Sequence, residues 1–258
     1  LKVYWHLVLM QLKSQMQYKT SFFLSVFGQF LTAFTMFFGL QFIFSRIDQI
    51  DDFTYGQVLL CFAIVMLAFS IGEMFGGGLG VFPRLIRSGS LDQTLIRPRS
   101  IILQVIAPNL DFTRLGILLQ AVIVLIIAIP ASGVVWNGEK ALTLVLMITC
   151  GSILFFSLFL LYASCSFFIL QGLQFMNIFT YGAREFGRYP FSVYGKNVLK
   201  FLTFVIPLAW FQYYPLLYLL NRATGALWMF SPLLSLLFLA PSYLFFRIGL
   251  RRYQSSGS

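Results

Sequence analysis

This sequence predicts an all-α integral membrane protein, and three observations carry the prediction. Of 258 residues, 59% are hydrophobic and only 10% charged, against about a quarter charged in soluble domains. The apolar residues run in stretches long enough to cross a bilayer as helices, which takes about 20 residues each. The Lys and Arg residues gather in the connections on one side, the pattern that sets orientation. In such a chain a net charge of +10 is a topological signal, and no nucleic-acid partner is expected.

Taken in order, residues 1–20 carry Lys2, Lys13 and Lys19 with Trp5, Leu9, Leu12 and Met16 at helical spacing. That pattern suits an amphipathic helix in the membrane surface. No compact apolar core leads to a small-residue cleavage site, so a signal peptide fits poorly; the missing initiator Met suggests a trimmed start. Residues 22–44 hold no charge and form a first span, and 53–72 a second, after the loop of Arg46, Asp48, Asp51 and Asp52. Beyond a basic segment at 82–99, residues 101–114 with Pro108, Asp111 and Arg114 read as interfacial. A third span lies near 115–135, bent or ended by Pro130. The uncharged run 141–183 could be one span plus an interfacial helix, or two spans, and two would put Arg184, Arg188, Lys196 and Lys200 outside. One span near 141–165 is therefore expected. Spans near 201–221, with Pro207 and Pro215, and 226–246, with Pro232 and Pro241, bring the number to six. Residues 1–258 thus form one transmembrane domain with both termini cytoplasmic. Fifteen of the eighteen Lys and Arg then lie inside, leaving Arg46, Lys140 and Arg222 outside, which places 82–99 in the cytoplasm.

The 82–99 segment has its own grammar. Pro83 suits the start of a helix, Gly89 a left-handed stop, and Ser90 with Gln93 fits an S-x-x-Q capping box. A second helix therefore begins at Leu91 and ends within about two turns, because Pro98 removes a backbone donor and disfavours helical angles at Arg97. Leu91 and Leu95 fall on one face, Asp92 sits at the positive helix start, and Arg97 and Arg99 follow the end. A helix this short needs a partner surface.

Chemistry is sparse. His6 is the one histidine, and no Ser/His pair, paired carboxylate or metal-ligand cluster lies in the spans. Cys61, Cys150 and Cys165 sit in apolar stretches without C-x-x-C spacing and read as small buried hydrophobes. Glu73 reads as a salt-bridged or snorkelling helix end. Gly76-Gly77-Gly78 has no following Lys, and Gly195-Lys196-Asn197 lacks the rest of a phosphate loop, so no ATPase is encoded here. Gln29, Thr32 and Gln41 are too sparse for a pore stripe. A structural membrane protein or passive channel, without an ATPase partner, is the competing reading.

The string Ile86-Arg87-Ser88-Gly89-Ser90-Leu91-Asp92-Gln93-Thr94-Leu95-Ile96-Arg97-Pro98 resembles the I-x-x-G-x-L-D-x-x-L-x-R-P signature of six-span permeases in the type-2 ATP-binding-cassette (ABC) superfamily. Ile206-Pro207-Leu208-Ala209, Tyr214-Pro215 and the ending Arg252-Tyr253-Gln254-Ser255-Ser256-Gly257-Ser258 add to the similarity. The resemblance implies a permease in the cell membrane that pairs with a second permease, identical or homologous, on two ATPase subunits, usually as an exporter by alternating access. ATP and Mg would be held by the ATPase, and no cofactor by this chain. The resemblance makes 82–99 the coupling element, with Leu91, Leu95 and Ile96 as docking face and Arg84, Arg87, Asp92 and Arg97 as polar register; Gly89 and Pro98 bound the helix. A path lined by the first, second and fifth spans would suit an amphipathic or hydrophobic cargo.

Overall fold

The computed structural model describes residues 2–169 and 173–254. Helices α1 (Lys2–Gln15) and α2 (Lys19–Phe44) are joined by a 3-10 turn at Met16–Tyr18. A small ribbon, Gln49–Ile50 paired antiparallel with Phe53–Thr54, reverses the chain. Asp51 and Asp52 at its tip both have positive φ, 49° and 65°, the left-handed pair that a two-residue hairpin demands. Helix α3 (Tyr55–Gly76) returns across the bundle, its start secured by the Thr54 N–H donating to Gln57 Oε1 at 3.3 Å. Three short helices follow: α4 (Phe82–Arg87), α5 (Leu91–Leu95) and α6 (Ile101–Ile106). Helices α7 (Leu115–Ala131) and α8 (Gly138–Cys165) cross and return; Asn137 caps α8, its Oδ1 accepting from the Lys140 N–H at 2.8 Å. Residues 82–99 define the near side of the bundle, and the 49–54 ribbon the far side.

Among the described residues, five helical stretches are long and apolar enough to cross a membrane: Tyr4–Phe44, Tyr55–Arg87, Phe112–Ala131, Gly138–Cys165 and Pro232–Arg252. The remaining expected span, near 201–221, is not one helix. Helix α9 (Ala183–Phe186) precedes α10 (Lys196–Phe204), which meets the following pair, α11 (Leu208–Phe211) and α12 (Tyr213–Leu219), at 90°. Pro207 stands at the break and has no N–H to continue the α10 ladder. Helix α13 (Ala226–Met229) lies on the far side, and α14 (Pro232–Ser235) with α15 (Leu239–Arg252) completes the chain.

α3 is the axis of the bundle, buried continuously from Val58 to Ser70. Its neighbours approach closely because glycines stand at the crossings, as lipid-embedded packing favours. A Cβ on Gly56 would lie 1.8 Å from the Ala131 carbonyl oxygen of α7, and one on Gly116 of α7 2.1 Å from that of Val26 on α2. α2 is different. Only Phe22, Ala33 and Leu40 are buried on it, a stripe recurring every two or three turns. Phe23, Leu24, Phe27, Leu31, Phe38 and Phe42 are exposed, and Phe30, Phe34, Phe37 and Phe44 half-buried.

Candidate functional site

The near-side segment folds as two short helices turned about Gly89, whose φ of +66° is the left-handed conformation glycine tolerates best. The capping box does not form. Ser90 has helical angles, and its hydroxyl hydrogen-bonds that of Ser88 at 2.7 Å; an N-cap needs extended backbone to aim its oxygen at the helix start. Helix α5 has five residues, stopping at Leu95 ahead of Arg97-Pro98. Gln104 of α6 ties the following turn down, its Nε2 donating to the carbonyls of Thr94 at 3.4 Å and Arg99 at 3.0 Å.

The expected docking face splits in two. Leu91 is 0% exposed and belongs to the core with Leu79, Phe82, Ile86 and Ile106, so it holds the segment to its own chain and presents nothing outward. Leu95 is 37% and Ile96 82% exposed. Arg84, Arg87, Arg97 and Pro98 are exposed with them, and Gly89 and Asp92 half-buried. Spacing of four puts Leu91 and Leu95 on one face, but at the end of a five-residue helix that face rises out of the core. Asp92 also lies near Tyr253, just past α15: burial, and after it the Asp92 carboxylate, push the Tyr253 phenol pKa up from its ordinary value.

A second polar assembly lies inside the bundle, where sequence reasoning placed none. At 1.5 Å per residue α3 is about 30 Å long, the thickness of a hydrocarbon core, and serves as a depth gauge. A Cβ on Gly187 would meet Val65 at 2.9 Å, and the Cys61 thiol donates to the Gly187 carbonyl at 3.5 Å. Residues 184–188 therefore climb about halfway across. Buried Gln212 pins them there, its Nε2 donating to the Tyr189 carbonyl at 2.9 Å and to that of Gly187 at 3.4 Å. The reading of Arg184 and Arg188 as near-side loop charges is thus corrected. The near side keeps its basic excess without them, through Lys13, Lys19, Arg84, Arg87, Arg97, Arg99, Arg247, Arg251 and Arg252.

Two ionic groups result. Arg184 donates from Nε and Nη2 to Glu185 at 3.1 and 2.8 Å, and Arg188 from Nη2 to the same carboxylate at 2.6 Å. The Arg184 guanidinium also stacks 4.7 Å from the centre of the Phe69 ring, a cation–π contact. Glu73, 2% exposed, pairs with Arg114 at 3.3 Å, and Arg114 reaches Asp111 at 3.2 Å. Glu73 is thus a salt-bridged helix end. Between the groups lies a cavity of about 230 Å³ lined by Gln29, Thr32 and Met36 of α2, Met66 of α3, Ile117 of α7, and Arg114, Tyr181, Arg184 and Arg188.

A model of the family described as ABC-2 family transporter protein matches residues 30–257. The chain belongs to the ABC-2 transporter family. It is a multi-pass membrane permease of the ABC class, a kind of subunit that is typically non-catalytic and works with an ABC ATPase. No curated protein and no solved structure matches it. The last residues of the sequence resemblance, Ser255–Ser258, lie outside the described residues. What sequence reasoning missed in this permease is the Arg184-Glu185-Phe186-Gly187-Arg188 string. The available signal was its place at the end of an uncharged run too long for one span, where a chain that neither crosses twice nor stops must dip into the membrane.

Proposed function

We propose that this permease is the membrane half of an ATP-driven exporter, paired with a second permease protomer on two ATPase subunits, and that residues 82–99 are its coupling element. The observation that carries the reading is Leu95-Ile96, an apolar pair held out from a basic loop whose base is locked into the bundle by Leu91. ATP and Mg belong to the ATPase. Its closure would press on α5, and Leu91 would pass the displacement to the aromatic cluster of Phe82, Phe167 and Phe246, whose rings lie 5.3–5.8 Å apart. That cluster links the near-side loop to α15. The bare face of α2 supports a second protomer or lipid against the first span, and the basic excess of the near side supports a cytoplasmic loop and termini in the cell membrane.

The test is Leu95→Asp. A carboxylate driven unpaired into a protein groove costs several kcal/mol, and every 1.4 kcal/mol is about tenfold in affinity. On a merely solvated loop the same change costs almost nothing. Expected are loss of ATPase co-purification and of cargo-stimulated hydrolysis at normal membrane abundance, with Ser100→Asp as a mild control. Retention of both by Leu95→Asp refutes the coupling assignment.

A further inference from the structure

We propose that the intramembrane cavity between α2, α3, α7 and residues 181–188 is a binding site for the anionic head group of an amphipathic molecule. The inference rests on the permease reading only in identifying the occupant as cargo or lipid; the site itself rests on the charges. Three guanidiniums line the cavity, those of Arg114, Arg184 and Arg188, and none of their carboxylate partners, Glu73, Asp111 or Glu185, is in its wall. Arg184 and Arg188 share one carboxylate while Arg114 holds two, so the six charges balance overall, but it is the guanidiniums that face the cavity, at a depth where charged groups are costly and mark function by default.

Arg188 shows where the anion would go. Its Nη1 donates to the Met36 sulfur at 3.1 Å, a weak acceptor for so strong a donor, and its buried Nε has no hydrogen-bond partner. A phosphate, sulfonate or carboxylate oxygen would displace the sulfur and accept a charge-assisted hydrogen bond from Nη1, while Nη2 stays on Glu185. The Gln29 amide lies on the α2 wall for a further oxygen, beside Thr32, whose hydroxyl donates to the Gly28 carbonyl at 2.8 Å. Met36, Met66 and Ile117 give the adjoining methylenes an apolar surface. The volume is below the roughly 300–1,000 Å³ of a pocket that encloses a drug-sized ligand, which fits a head group held inside with its chain outside.

The experiment uses the full chain in phosphatidylcholine nanodiscs without ATP, and measures equilibrium binding of radiolabelled dodecyl phosphate. Saturable binding is expected, with dodecyltrimethylammonium failing to compete. Arg188→Gln should weaken binding at least tenfold, and Arg46→Gln, at an exposed position beside the far-side ribbon, should leave it unchanged. Thr32→Asp changes an exposed α2 position, places a carboxylate in the cavity and should abolish binding even if Arg188→Gln folds poorly. A second arm replaces a fifth of the lipid by phosphatidylglycerol: lost dodecyl phosphate binding there identifies a lipid head group as occupant, retained binding a cargo anion. Non-saturable binding, equal competition by the cation, or wild-type binding by Thr32→Asp overturns the proposal. ATPase capture through Leu95 is read separately, so neither failure masks the other.

Discussion

Leu91→Ala separates a residue that holds the coupling segment from residues that face outward. Leu91 is fully buried among Leu79, Phe82 and Ile86, and truncating a buried leucine costs about 2–5 kcal/mol through lost contacts and the cavity left behind. For a chain of this size each kcal/mol moves the melting temperature by about 2–4 °C, so a drop of at least about 4 °C is expected for the permease alone. Ile96→Ala removes a side chain from an 82% exposed residue and should stay within about 0.5 kcal/mol. The assay is thermal unfolding in detergent followed by size-exclusion chromatography, without any ATPase. The order should reverse when the ATPase is added: Ile96→Ala should then lose partner affinity and Leu91→Ala chiefly yield. A Leu91→Ala protein that melts with the wild type would refute the claim that this side chain is core.

Gly116→Leu should abolish folded permease, since a side chain there meets the Val26 backbone of α2; chromatographic monodispersity reads it. Glu73→Gln should destabilise by up to about 3–5 kcal/mol, because it strips Arg114 of its buried partner, and the Glu73→Gln/Arg114→Gln double variant should recover part of that loss in a thermal double-mutant cycle. Cysteines at Ser88 and Gly138 should react with impermeant reagent from opposite sides of the membrane. The raised Tyr253 pKa favours the neutral phenol in the folded state, so its contribution is present in full below the unfolded value of about 10 and lost as pH rises through the folded one. Tyr253→Phe should remove that alkaline step from the stability profile.

Much of the near-side segment was legible because it depends on local chemistry. Gly89 turns the chain and Arg97-Pro98 follows the end of α5, both effects of one or two residues on their own backbone. The capping box failed where a competing partner, the Ser88 hydroxyl, lay two residues away and Ser90 took helical angles; a similar pattern at Thr54 and Gln57, on an extended Thr54, supplies the backbone contact to Gln57. Spacing gave Leu91 a face, but not the surface opposite it, which is the core of its own chain.

Composition and hydrophobic run length by themselves determined that this is a helical membrane protein, because every backbone group in lipid must be satisfied within its own segment, and the expected permease family is the one whose model matches residues 30–257. Only the tertiary structure decided what becomes of the chain after α8. A run long enough for one span plus an interfacial helix, or for two spans, has several solutions in sequence. Gln212 on the carbonyls of Gly187 and Tyr189, and Gly187 against Val65, select the one that carries Arg184 and Arg188 into the bilayer. Those contacts join residues far apart in the chain, so no local pattern encodes them, and a charged string that reads as loop becomes the wall of a cavity.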